Sequence, residues 1–217
     1  MVRRYFPNPN VYYEGTLTHN VYLFGEDYGH ETFLEALIKR LAQEHQVNVR
    51  IRIFSARGGH GKVITELKQF VRDLQRDKEN LPDLLVVAID TNCRKLVECR
   101  KEIEEVTQDI KELVICALPD PHIERWLLID SAAFKKVLGE GCKAPDQKCN
   151  KDRYKQLLLQ AIRATGNLPI LGGMEHARAI VDAMNLGWIL EKKADSSLRN
   201  LVKDLRNQFK RWQAETP

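Results

Sequence analysis

An α/β fold, with a mostly parallel sheet covered by helices, is predicted by three observations. Short apolar runs alternate with segments of helical period between Val21 and Leu118, the order that strand–crossover–strand units impose. The most continuous run, Leu84 to Ile89, contains no polar residue, as a strand buried on both faces requires. Beyond Gly139 the apolar runs stop and helical periodicity alone remains, which adds a helical C-terminal extension.

Each element follows from its own pattern. Residues 1–20 carry Pro7, Pro9 and Gly15 without an apolar period and read as an N-terminal arm. Val21 to Phe24, ended by Gly25, reads as the first strand. Phe33, Leu34, Leu37, Ile38 and Leu41 then recur at helical spacing, with Lys39 and Arg40 towards the end where cations suit the helix dipole. Val47, Val49, Ile51 and Ile53 alternate with polar partners, the mark of a strand with one wetter face, near a sheet edge. After the glycine-rich Ser55 to Lys62, the residues Val63, Ile64, Leu67, Phe70, Val71 and Leu74 trace an amphipathic helix. Leu84 to Ile89, between Asp83 and Asp90, is the central strand. Arg94 to Ile110 is helix-compatible, Leu113 to Leu118 is a fourth strand, and Ile123 to Ile129 is a short apolar segment. Tyr154 to Thr165, Glu175 to Lys192 and Ser197 to Trp212 complete the chain as helices. The division expected is an arm at 1–20, an α/β core at 21–138, and a loop with a helical extension at 139–217.

The 217 residues are 43% hydrophobic and 29% charged, and no run is long enough for the ~20 apolar residues of a membrane span. The basic start Met1 to Arg4 leads into Tyr5-Phe6-Pro7 rather than an apolar stretch, so a soluble, cytoplasmic protein is expected. The five cysteines, an odd number without paired short spacings, are expected as reduced thiols. Cys142 and Cys149 stand too far apart for the usual zinc pair. A formal charge of +4 allows a nucleic-acid partner without demanding one.

Strand C-termini of an open parallel sheet converge on one edge, where ligands bind. Glu26 and Asp27 follow the first strand, Asp90 and Asn92 the central strand, and Asp120 and Glu124 the fourth. Carboxylates gathered this way repel and need a counter-charge, for which Mg²⁺ or Mn²⁺ is the simplest supplier. Singly, such residues are also ordinary turn formers; the joint placement carries the argument.

Gly25-Glu26-Asp27-Tyr28-Gly29-His30-Glu31-Thr32-Phe33-Leu34 resembles the first Toprim motif, and Ile89-Asp90-Thr91-Asn92 resembles that family's Asp-x-Asp motif. Pro119 to Asp130, with Ile123-Glu124-Arg125-Trp126-Leu127-Leu128, is similar to a stretch of the Toprim-like proteins related to overcoming-lysogenization-defect nucleases. The resemblance spans roughly Val21 to Asp130. It implies a Toprim-like fold and metal-dependent cleavage of DNA or RNA, with Glu26 as metal ligand or general acid/base and Asp90 as metal ligand. Glu124 is the third acid, and Asn92 and Asp120 are supporting ligands. It further implies a prokaryotic phage-defence setting beside an ATPase partner. His30 stands where the family has a second acid, Asn92 replaces the second Asp, and Asp27 takes a usual glycine position. These departures favour an alternative, a Toprim-like binding or assembly module that recognises a partner protein or nucleic acid without cutting. A nucleotide-directed phosphotransfer enzyme is a third reading.

Arg57-Gly58-Gly59-His60-Gly61-Lys62 sets glycines between basic residues ahead of a helix, which suits phosphate contact by Arg57, Gly59, His60 and Lys62. Lys62 is in addition a candidate for stabilising the leaving oxygen. Val63 follows Lys62, so this is not a Walker A loop. Leu171 to His176 reads as a helix start, and Trp126, Trp188 and Trp212 as packing residues. His19, His45 and His122 have no partner legible in sequence. The basic C-terminal helices, with seven Lys or Arg against four Asp or Glu from Glu191 to Pro217, leave open sheet coverage, a homodimer contact and ATPase docking.

Overall fold

A computed structural model describes residues 17–56, 58–77, 80–150, 152–191 and 195–215. Four strands, β1 (Thr18–Gly25), β2 (Asn48–Ser55), β3 (Leu84–Ala88) and β4 (Val114–Ala117), form a sheet in the order β2-β1-β3-β4. Every neighbouring pair is parallel. The crossovers are α1 (Tyr28–Glu44), α2 (His60–Arg76) and α3 (Leu96–Val106), the last followed by a 3₁₀ segment at Gln108–Leu113. Among the described residues, six α-helices come after β4: α4 (Ile123–Leu128), α5 (Ser131–Leu138), α6 (Arg153–Ala164), α7 (Ala177–Ala183), α8 (Leu186–Glu191) and α9 (Ser196–Glu215). The fold is therefore α/β, an all-parallel sheet under helices with a helical C-terminal region, as the sequence predicts.

Successive strand side chains point to opposite faces, and the two cores follow from that period. Val21, Leu23, Leu84, Val86 and Ala88 join α1 and the helices after β4 on one face. Tyr22, Phe24, Leu85, Val87 and Ile89 meet Val63, Leu67 and Val71 of α2 and Cys99 and Ile103 of α3 on the other. β3 is buried along its whole length, while β2, with its polar alternation, is an edge strand.

The structure departs from the sequence reading in three places and settles a fourth point that the sequence leaves open. β1 begins at Thr18, inside the expected arm, because Thr18, His19 and Asn20 pair with Asn48, Val49 and Arg50. Backbone pairing leaves no apolar signature there, and residues 1–16 lie outside the described residues. The segment expected as one helix from Glu175 to Lys192 is two. Met184 turns extended at φ −57° and ψ 141°, and the Asn185 side chain accepts from Trp188 N at 2.9 Å to start α8. The region after 139, whose sheet coverage the sequence leaves open, does cover the sheet: Leu158, Ile162, Val181, Leu198, Leu205 and Phe209 share the core of β1 and β3. Finally, Cys93 and Cys149 are joined by a disulfide, their Cα atoms 5.3 Å apart. The expectation of five free thiols fails because folding brings together loops 56 residues apart. Cys99, Cys116 and Cys142 remain free.

Candidate metal centre

Parallel pairing of β1 with β3 sets Gly25 against Ala88, so the residues that leave the two strands emerge side by side. Glu26 N donates to Ala88 O at 3.1 Å, and the Glu26 carboxylate accepts from Asp90 N at 3.1 Å. Asp27 caps α1 by accepting from His30 N, which fixes the first helical turn and aims the fully buried His30 ring at the strand ends. His30 Nδ1 lies 2.8 Å from Asp27 Oδ1 and Nε2 lies 3.0 Å from Asp90 Oδ1. The second Asp90 oxygen meets His122 Nδ1 at 3.0 Å, brought in from the loop after β4. Asp90 thus sits between two imidazoles, and His30 between two carboxylates.

Charge follows from this alternation. Burial alone would lower the His30 pKa, but Asp90 and Asp27 outweigh it and raise it well above 6.5. With a carboxylate on each ring nitrogen, both nitrogens donate and the ring is the imidazolium. His122 is also raised, first by its hydrogen bond to Asp90. Desolvation opposes ionisation of Asp27, yet the bonds from His30 hold its carboxyl at about 2. Glu26 is raised by desolvation and then by repulsion from Asp90, and Glu124 is raised by the same two causes.

Glu26, Asp90 and His30 form the assembled core: one ligand atom from each falls within 4.8 Å of the others. Two carboxylates and an imidazole are a donor set for a divalent ion, with the ring nitrogen tilting it from Mg²⁺ towards Mn²⁺ and later transition metals. A metal bound there would displace the His30 proton. Glu124 stands beside Asp27 along the wall of a small cavity that also holds Lys155 and Met174.

The other sequence candidates are engaged in contacts of their own. Asp120 accepts from the Thr91 hydroxyl at 3.1 Å and from the Gln147 amide. Asn92 is exposed and directs its amide to Asp90 O at 3.4 Å. Gly59 precedes α2 with φ 80°, a left-handed conformation that glycine takes without cost. His60 pairs with Glu102 of α3 at 2.8 Å, where Arg94 also lies 2.7 Å from the same carboxylate oxygen. Lys62 is exposed, 3.5 Å from Glu66. Arg57 lies outside the described residues. Sequence reasoning missed two members: His30, read only as a departure from the Toprim motif, and His122, whose bonds to Asp90 cross 60 and 32 residues. For His122 the available signal was its place two residues after Asp120, in the loop leaving a strand on the same edge.

No curated protein and no solved structure matches the chain. A family model described as Domain of unknown function (DUF4276) matches residues 25–206, a span that runs from the glycine before Glu26 into α9 and includes Glu26, His30, Asp90 and His122. The chain therefore belongs to the DUF4276 family.

Proposed function

We propose that the protein is a divalent-metal-dependent phosphodiester hydrolase acting on DNA or RNA. The observation that carries the reading is the convergence of Glu26, His30 and Asp90 donor atoms within 4.8 Å at the ends of parallel strands. Glu26 and Asp90 would hold the ion through oxygen and His30 through a ring nitrogen. When bound, the metal supplies Lewis-acid stabilisation of the phosphate and a more acidic water. His122, oriented by Asp90, keeps its imidazole beside that position, and Glu124, with its raised pKa, is suited to carry a proton near the leaving oxygen. A phosphate-binding role for Gly59, His60 and Lys62, action beside an ATPase and a place in phage defence belong to the same reading through the Toprim resemblance.

A second reading has its own support. His30 and His122 already supply positive charge to Asp90, so the central acid is compensated without an ion. That suits a module that binds a protein or nucleic acid without cutting it.

Calorimetric titration with Mn²⁺ and Mg²⁺, on wild type and Asp90→Ala, separates the two, with cleavage of mixed DNA and RNA followed in parallel. Binding tighter for Mn²⁺, with cutting, both lost in Asp90→Ala, is the expected result. No binding by wild type in the presence of nucleic acid sinks the hydrolase and leaves the binding module.

A further inference from the structure

The Cys93–Cys149 disulfide ties two loops that flank the acid-rich edge, yet neither the metal chemistry nor the packing of the cores requires it. Cys93 sits in the turn between β3 and α3. Cys149 sits near the end of residues 139–150, a stretch without helix or strand. Both cysteines are exposed, so an incoming thiolate can reach either sulfur.

The turn around Cys93 is held in an unusual conformation. Asn92 and Cys93 have φ 48° and 68°, left-handed values that side chains other than glycine rarely adopt and that persist where surrounding contacts enforce them. Asn92 N also donates to Pro121 O at 3.2 Å, so the turn is pinned from two sides. On the other loop, Gln147 donates to the Asp120 carboxylate, and Tyr154 bonds the backbone of Asp146 and Lys148. The Tyr154 and Arg153 contacts fasten the loop to α6. The disulfide and the Gln147–Asp120 bond fasten it to the sheet edge. Packing adds little along residues 143–146, which stand over an open cavity of about 600 Å³ walled by Arg153 and Leu157.

We infer that Cys93–Cys149 is a thiol–disulfide exchange site, opened by a small or protein dithiol, and that its reduction loosens residues 143–150 from the sheet edge, while Cys142, packed on the core with its Sγ 3.5 Å from Leu128 O, still anchors the start of the loop. A thiolate of the dithiol attacks one sulfur, forming a mixed disulfide and expelling the other cysteine as a thiolate that takes up a proton. The second thiol of the reductant then closes on the first, leaving two protein thiols and one oxidised reductant, two electrons having moved. A disulfide of the glutathione class reverses the sequence. The exchange stays on this pair, because the other cysteines are poor participants. Cys99 and Cys116 are buried and Cys142 is half-buried, and burial raises all three, Cys116 and Cys142 to about 11.

The test combines thiol counting with proteolysis and does not depend on what the acid cluster binds. Purified protein, alkylated in denaturant without reductant, should leave two cysteines unmodified. Brief treatment of the folded protein with a small dithiol should free those two. Lys143 and Lys148 are exposed in the loop, and a lysine-specific protease should cut there roughly tenfold faster after reduction and desalting, as expected where a lost crosslink raises the population of the open loop. A Cys93→Ser/Cys149→Ser variant should be cut at the reduced rate without any reductant, and reoxidised wild type should return to the slow rate. Alkylation of all five cysteines in the unreduced sample, reduction that occurs only in denaturant, or equal cutting before and after reduction would each overturn the inference. Wild-type protein carries the decisive comparison, so a poorly folding variant does not weaken it.

Discussion

His30 has no exposed surface and lies between two acids, so its proton is a structural part of the metal-free protein. Its folded pKa is raised above 6.5, so its contribution is complete below about pH 6.5 and is lost as pH rises through the folded value. Asp27, lowered from 3.8 to about 2, contributes above its unfolded pKa and loses that contribution as pH falls towards 2. Glu26 and Glu124 are raised above 4.5, and a raised carboxyl penalises the folded state increasingly as pH climbs past the unfolded value. All three signs place maximum stability of the metal-free protein in mildly acid solution, between the ordinary ranges of Asp and His. Urea midpoints across pH should peak there, and His30→Gln should flatten the alkaline limb. A midpoint that climbs steadily into alkaline solution would contradict the assignment. Glu26 and Asp90 were legible because strand ends can be read from apolar runs. The two imidazoles that bond Asp90 were not, because hydrogen bonds that span 60 and 32 residues leave no local pattern.

Among the elements, Asp130 connects two helix starts. Its carboxylate accepts from Ala132 N and Ala133 N to cap α5, and from Asn185 N, at 2.8 Å, at the break between α7 and α8. Asp130→Ala removes a cap and leaves a partly buried amide unsatisfied, which should cost about 2–4 kcal/mol. Asp130→Asn, which keeps one acceptor oxygen, should recover part of that in denaturant unfolding, and equal midpoints for Ala and wild type would rule the clamp out. The same residue shows why strands were easier to read than helix ends. β3 declares itself by a uniformly apolar run and β2 by its alternation, whereas the break at Met184 is set by an acid 55 residues away. Asn185 is a good cap by type, but the surrounding Ile180, Val181, Leu186 and Ile189 continue an apolar helical pattern through it.

For the whole molecule, the helices after β4 complete the core instead of extending it. Leu198, Leu201, Val202, Leu205, Phe209 and Trp212 of α9 are all buried. At about 1.5–3 kcal/mol per side chain, these six contribute on the order of 10 kcal/mol, comparable with the total stability of a domain. A chain ended before α9 should therefore lose cooperative unfolding, read by circular dichroism on heating. A sharp transition retained in that truncation would show instead that α9 is dispensable to the core. Sequence periodicity identified α9 as a helix but not the sheet face that it covers, because periodicity along one segment says nothing of its partner.

The stacking of His19 on Trp212, with ring centroids 4.0 Å apart, joins the first strand to the last helix. During synthesis, β1 leaves the ribosome long before the residue that covers its start. Its pairing with β3 also waits, since Val21 meets Leu84. Nascent chains of this topology therefore leave part of an apolar sheet face uncovered until α9 emerges, the kind of surface that chaperones shield during synthesis.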